Sequence, residues 1–377
     1  VGINIHMNDA YANAETNARG YWYGFAFYGT ACFDGANPMT STHYTEDQQQ
    51  YNYYNNLIKS RLSVESPLEM QGLYTTGDQV VYAYARVKNT SASALSNVAM
   101  QFMVYEDLDT EEYHHLCREI PAYETFSIDP GQTLYFYREI PMDPGDDLDR
   151  IGVIAFVQDR NAPNKDLQQA CEAPRGETTT WPEEIIDRYW NWFSIPLVPL
   201  DANPESVLGI DCGGDLFRWD KYIKAVQVYQ PPFVSFDLSV GDSYLLRLDA
   251  VPDEVSYPGA YPGSGFEFLL GRQGWTWLGK PGTGELGYPD FMDQVTVEYP
   301  VGSGDVRTAA EDRLSGAPWV NWGWAHWDAH LQAPRTFIPY SPFGDNVCYP
   351  WVGYRAYVNI GTAETQEDPD QVVLTWP

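Results

Sequence analysis

Basic residues are scarce in this chain. Across 377 residues, 22 Lys and Arg stand against 52 Asp and Glu, a formal net charge of −30. A protein that holds nucleic acid must neutralise phosphates with Lys and Arg, so a nucleic-acid partner is excluded. An anionic membrane surface is disfavoured for the same reason. No apolar run approaches the ~20 residues that would cross a bilayer, so no membrane span is expected. The five cysteines (Cys32, Cys117, Cys171, Cys212 and Cys348) lie far apart. They form no CxxC and have no His at ligand spacing, which argues against zinc. A nucleophilic-serine turn is missing too, because Gly263-Ser264-Gly265 lacks a strand–turn–helix setting. Gly302-Ser303-Gly304 reads as a turn and not as a phosphate cradle.

Aromatic and turn-forming residues are plentiful. The chain is 15% aromatic, with 13 Trp and 28 Tyr, and carries 27 Pro and 31 Gly. Many short strands joined by turns follow from that composition, so the expected fold class is mostly β and multidomain. Three causes compete for the acidity: solubility of a secreted protein, adaptation to salt, and calcium bound by acidic loops. Asp143, Asp146, Asp147 and Asp149 are the calcium candidates, and no other cofactor is implied. They lack the full EF-hand spacing, so a solvated turn is the competing account. The sequence opens on Val1, which reads as a mature or cleaved product.

Residues 150–170 organise the chain. Ile151, Val153, Ala155 and Val157 alternate with Gly152, Ile154 and Phe156, so both faces are apolar, as in a strand buried between two layers. Turn chemistry at 159–165 and a second arm at 166–170 make it a hairpin. Before it, alternating runs at 80–87, 98–104 and 133–138 predict an immunoglobulin-like sandwich over 65–172. Earlier still, 1–6 reads as a strand, 10–23 as a helix and 25–33 as an aromatic strand. Thr45 and Gln48 match a capping box ahead of a helix carrying Tyr51, Tyr54, Ile58 and Leu62.

His6-Met7-Asn8-Asp9, Arg19…Tyr23-Gly24, Phe33-Asp34-Gly35, Ile58…Arg61-Leu62 and Ser66-Pro67 occur in that order. They are followed by Val104-Tyr105-Glu106-Asp107, His115…Cys117-Arg118, Ala155-Phe156-Val157-Gln158-Asp159 and Leu167-Gln168. In this order the first 170 residues or so resemble the thioredoxin-like bacterial surface proteins of the outer-membrane-protein-28 type. The resemblance implies that 1–64 is the C-terminal half of a thioredoxin-like domain, ahead of the sandwich. A thioredoxin-like oxidoreductase needs a low-pKa thiolate, and that half of the fold would lie before Val1. The family's proline four residues before Phe33 is Gly29 here. Cys32 sits in an apolar strand, where a thiol is inert. Strand Val1, Gly2, Ile3, Asn4, Ile5 and His6 would then offer an unpaired edge to a second copy or to another surface protein.

After a polar linker at 173–190 the chain repeats itself. Phe217-Arg218-Trp219-Asp220 leads to Gly241-Asp242-Ser243-Tyr244-Leu245, and Ala325-His326-Trp327-Asp328 leads to Gly353-Tyr354-Arg355-Ala356-Tyr357. Trp219 and Tyr244 are 25 positions apart, and Trp327 and Tyr354 are 27 apart. Two related β-modules are expected, at 191–256 and 257–377, the second with an insertion. Such paired modules resemble the C-terminal β regions of secreted bacterial surface proteins. Disulfides Cys117–Cys171 and Cys212–Cys348 would each stay within one domain, with Cys32 left over; five buried, reduced thiols is the alternative. Adjacent His114 and His115, in a strand, point to opposite faces, and His326 and His330 also lie in β structure, so neither pair suits a metal. Trp319, Trp322, Trp324 and Trp327 read as core, with a sugar-stacking platform as the rival account. The expected function is a non-catalytic extracellular or cell-surface protein that builds or decorates an assembly. The competing functions are a carbohydrate-binding surface protein and a degenerate thioredoxin-like oxidoreductase.

Overall fold

In the computed structural model the chain divides into two compact units, Val1–Glu177 and Thr178–Pro377. The structure describes residues 12–23, 30–33, 36–40, 47–108, 115–160, 166–287, 289–338 and 347–377. At 30–33, 36–40, 47, 50 and 61 it describes backbone only. The proposed edge strand at 1–6, with His114, lies outside the described residues, as does the side chain of Cys32. The architecture is mostly β, in several small separate sheets, as the composition predicts.

In the first unit, α1 (Ala14–Tyr23) begins where Asn13 and Thr16 cap one another: Thr16 N donates to Asn13 Oδ1 at 2.8 Å, and Asn13 N donates to Thr16 Oγ1 at 2.9 Å. This satisfies two of the free donors at the helix start. A hairpin of β1 (Thr30–Phe33) and β2 (Ala36–Thr40) and helix α2 (Asp47–Leu62) follow. The sandwich comprises β3 (Leu68–Thr76), β4 (Val80–Asn89), β5 (Leu95–Glu106), β6 (Leu116–Glu119), β7 (Glu124–Ile128), β8 (Thr133–Pro141), β9 (Ile151–Asp159) and β10 (Leu167–Ala173). One sheet runs β3-β4-β8; the other runs β10-β9-β5-β6, with β7 also on β5.

Strand β4 alternates as a half-buried strand should, and Val81, Ala83, Ala85 and Val87 all face the core. Opposite them, Val104 pairs with Val153, Phe102 with Ala155 and Met100 with Val157. Each such Val or Phe contributes roughly 1.5–3 kcal/mol by leaving water. The second face of β9 is buried as well, Phe156 packing in a cluster with Met103, Cys117 and Ile120. Helix α1 closes that side. The Arg19 guanidinium lies 5.3 Å from the Phe156 ring and donates to Tyr23 Oη and Gln158 Oε1. This explains why both faces of residues 151–157 are apolar.

Cys117, Cys171 and Cys212 are free thiols, so neither expected disulfide, Cys117–Cys171 nor Cys212–Cys348, is formed. Cys117 belongs to the cluster beneath α1, whereas Cys171 packs against the inter-sheet core. Side chains on opposite faces of one sheet cannot reach each other. Cys212 and Cys348 lie in two different cores of the second unit.

The second unit is a duplication. Its first copy comprises β11 (Gly176–Thr180), which begins at the unit boundary, a 3-10 turn at Glu183–Ile185, β12 (Tyr189–Ser194), β13 (Val198–Pro199), α3 (Pro204–Leu208), β14 (Leu216–Asp220), β15 (Ala225–Val228), β16 (Ser243–Leu248) and β17 (Ser256–Ala260). The second copy opens with β18 (Phe266–Leu269), β19 (Gly274–Gly279), β20 (Leu286–Gly287), α4 (Asp290–Gln294), β21 (Thr296–Glu298) and β22 (Val306–Thr308). It continues with α5 (Ala309–Leu314), β23 (Val320–Asp328), β24 (Ala333–Phe337), β25 (Val347–Cys348), β26 (Gly353–Val358) and β27 (Val373–Trp376). Sheets β12-β16-β14-β15 and β19-β26-β23-β24 share one connectivity, and β11-β17-β13 corresponds to β18-β27-β21. The stretch expected as a linker therefore contains β11, a strand of the first module. The extra residues of the second copy form β20, α4, β22 and β25, with β20 and β25 pairing with each other.

The tyrosine of each repeat has the same task. Ser239 N donates to Tyr244 Oη at 2.7 Å, and Tyr349 N donates to Tyr354 Oη at 2.8 Å, five residues back in both cases. Each phenol satisfies a backbone donor at the corner before its strand.

Candidate functional site

The tryptophans singled out in the sequence do not form a platform. Trp319, Trp322 and Trp324 are 6%, 2% and 0% exposed, and Trp327 is partly buried. Trp322 and Trp324 pack on Phe291, whose ring meets theirs and those of Phe337 and Trp376 edge-on at 5.2–6.0 Å, while Trp319 packs on Tyr299 at 5.8 Å. The sugar-stacking account is therefore corrected at Trp319, Trp322 and Trp324, whose rings are core, whereas Trp327 is partly buried outside that cluster. The local organiser is Asp312, fully buried after the Thr308–Glu311 capping box of α5. Its carboxylate accepts from Trp319 N (2.9 Å), Val320 N (3.2 Å) and Trp322 Nε1 (3.0 Å) and pairs with Arg307 at 3.5 Å.

The acidic loop does not converge either. Asp146 accepts from Asp143 N and pairs with Arg118 at 3.4 Å; Asp147 accepts from Asp149 N; Asp149 pairs with Arg175 at 3.1 Å. Among the described residues no three His, Cys, Asp or Glu groups are placed to hold a metal. His330 lies 2.9 Å from Asp187 Oδ2 and 2.6 Å from Glu184 O, partners that raise its pKa. Burial pushes the thiols of Cys117 and Cys212 up to about 12 and that of Cys171 to about 11, so all three stay protonated at neutral pH.

What the structure does gather is the seam between the two copies. Each edge strand carries Trp-x-Trp, at Trp190 and Trp192 on β12 and at Trp275 and Trp277 on β19. Alternation places both tryptophans of a strand on one face, with Asn191 or Thr276 buried on the other. Trp192 and Trp277 meet edge-to-face at 5.0 Å, and Trp219 stacks on Trp277 at 5.9 Å. The copies also clasp each other's backbone. Trp219 Nε1 and Lys224 Nζ both donate to Trp275 O at 3.0 Å. Reciprocally, Gln332 accepts from Trp190 N and donates to Trp190 O.

Lys224 and Gln332 each lie four residues beyond the Asp of a Trp-Asp pair and have φ of 54° and 49°. Asp220 holds its turn by accepting from Tyr222 N and Ile223 N, and Asp328 does so through Leu331 N. The repeated Trp-Asp is thus the base of a clasping turn. Sequence reading found this pair but passed over the repeated Trp-x-Trp, which was the available signal for the seam.

Around Trp275 the seam reaches the surface. This residue is 42% exposed; Tyr357 meets it edge-on at 5.3 Å, and the Arg355 guanidinium lies 4.3 Å from its ring. Arg355 Nε is buried with no hydrogen-bond partner among the described residues. Burial, together with the charges of Arg272 and Lys221, pulls the Lys224 ammonium down to about 8. Among the described residues none of Lys224, Arg272 and Arg355 forms an ion pair with a carboxylate.

No family model matches the chain, and no curated protein matches it. Among solved structures it is similar to a domain of the outer membrane lipoprotein Omp28 from Porphyromonas gingivalis. That match has 12% identity over 29% of this chain and 88% of that one, with a TM-score of 0.23. HBP35 of Porphyromonas gingivalis matches at 14% identity over 55% of this chain and 68% of that one, with a TM-score of 0.28. A β-glucosidase from Listeria innocua matches at 16% identity over 30% of this chain and 16% of its own length, with a TM-score of 0.19.

Proposed function

We propose that the chain is a non-catalytic extracellular protein displayed at a cell surface, where its β-modules build or decorate an assembly. The observation that carries this reading is the commitment of its buried chemical groups to structure. Asp312 holds three N–H donors, and Lys280 Nζ donates to Pro281 O at 2.9 Å. Glu106 pairs with Arg118 at 2.5 Å. A general acid or base must be free to exchange its proton with a substrate, and groups bonded in this way are fixed. The net charge of −30 suits a chain kept soluble outside the cell. Among the described residues no helix is long and apolar enough to cross a membrane.

Labelling intact producing cells with a membrane-impermeant amine reagent tests display, and electron microscopy of native material tests assembly. Labelling is expected without lysis. Labelling only after lysis, or turnover of a glycoside, ester or peptide that one carboxylate substitution abolishes, would end this reading.

A further inference from the structure

The chain has few cations, and most of those with resolved contacts are paired: Arg118, Arg138, Arg175, Arg247, Arg307 and Arg335 each meet a carboxylate. The exposed corner of the seam departs from this. Two cations contact the 42% exposed Trp275, Lys224 at its carbonyl and Arg355 at its ring, and the Arg272 charge lies close enough to act on Lys224. Asp220, the nearby acid, is taken up by Tyr222 N, Ile223 N and Gln227 Nε2. A protein of net charge −30 that leaves three cations without acidic partners beside one aromatic ring is complementary there to an anion with an apolar face.

The first copy supplies an internal comparison. At the matching corner, Trp190 lies beside Arg247, but Arg247 is neutralised by Asp215 at 2.8 Å, and the clasping residue is the uncharged Gln332. The clasp therefore needs no charge, and the positive cluster at the second corner has no structural counterpart.

We propose that the Trp275 corner binds a carboxylated sugar, the C–H face of the pyranose lying on Trp275 and the carboxylate meeting Lys224, Arg272 and Arg355. A single carboxylate on a ring fits a small cluster within an acidic surface. An extended polyanion would meet repulsion on leaving the corner. This goes beyond the reading as a non-catalytic surface protein and stands apart from where the chain is displayed.

The test is calorimetric titration of the full chain with trigalacturonate, a glucuronate oligosaccharide and a sialylated trisaccharide, and with the methyl ester of trigalacturonate as the neutral control. At least one acid should bind, and the ester of the uronate at least tenfold more weakly than its acid. Trp275→Ala should cost at least tenfold. The pair Lys224→Gln with Arg272→Gln should remove the preference for acid over ester at an unchanged melting temperature. Should Trp275→Ala unfold the module, the double Gln variant decides alone. No binding of any of the three acids, equal binding of acid and ester, or full binding by the double variant would each overturn the site. A chain that binds a uronate but is not displayed keeps the site and loses only the surface reading; a displayed chain that binds none loses only the site.

Discussion

Asp312 separates a structural account of the buried acids from a catalytic one. Replacing it with Ala leaves Trp319 N, Val320 N and Trp322 Nε1 buried without an acceptor and removes the partner of Arg307 at 3.5 Å. Each stranded donor costs about 1–3 kcal/mol. Collapse of the small cavity and the relieved burial of a charge offset part of that sum. Breaking a buried charged pair from one side costs about 3–5 kcal/mol, and we take this as the expected loss. For a unit of this size it lowers the melting temperature by about 6–20 °C.

Asp312→Asn can keep its carbonyl oxygen where Oδ2 now takes three N–H groups, and it loses chiefly the pairing with Arg307. It should cost about 1–2 kcal/mol. Tryptophan fluorescence is the natural assay, because every Trp except Trp22 belongs to the second unit and unfolding there dominates the signal. An Ala variant within about 1 kcal/mol of the unmodified chain would refute the argument. It would mark Asp312 as a group held in place for chemistry instead of for folding.

Tyr354→Phe removes the acceptor of Tyr349 N and should lower second-unit stability by about 1–2 kcal/mol. Tyr244→Phe should do the same through Ser239 N, and a loss in only one of the two would contradict their equivalence. Burial, with Glu15, Asp143 and Asp146 nearby, pushes the Glu119 carboxyl up to about 7. The folded chain then holds that proton more tightly than the unfolded chain, so stability falls as pH rises from the ordinary carboxyl range through about 7. Glu119→Gln should gain on the unmodified chain between pH 5 and pH 8 in thermal melts, and parallel curves would exclude this coupling. A maleimide probe should leave Cys117, Cys171 and Cys212 unmodified in the native chain and label all three in denaturant. Native labelling of Cys212 would mean that its core opens.

The strands at 80–89, 95–106, 133–141 and 151–159 were legible because alternation and double-sided burial leave their marks in residue order. So was α2, through the helical spacing of Tyr51, Tyr54, Ile58 and Leu62. The cysteine pairing was not legible: whether Cys117 and Cys171 share a face depends on the register of β6 on β5, β5 on β9 and β9 on β10. The 173–190 stretch looked like a linker because Thr-rich β11 is a peripheral strand with little apolar signal, and its assignment depends on pairing with β17. Trp322 and Trp324 of β23, and Trp319 before it, lie in the core as weighed, and Trp327 does not. Their organiser, Asp312, was invisible as one acid among 52, since only burial distinguishes it. The seam was half visible, its Trp-Asp turns noticed and its Trp-x-Trp strands passed over, because its meaning is reciprocal and belongs to two copies at once.

That reciprocity bears on where function resides. Two copies that clasp each other through the same turn hold in common whatever the fold requires: Asp220 and Asp328 at the base, Trp219 and Trp327 beside them, and a residue of positive φ reaching the partner strand. Differences between the copies are released from that requirement. Gln332 shows that an uncharged amide suffices for the reach, so Lys224→Gln asks the protein to use at one corner a residue it already uses at the other. A change that leaves the clasp intact and abolishes uronate binding would locate the purpose of the charge outside the fold. If Lys224→Gln instead loosens the seam, lowering second-unit stability by more than about 1 kcal/mol, the ammonium belongs to the clasp. The two corners would then differ for reasons of packing.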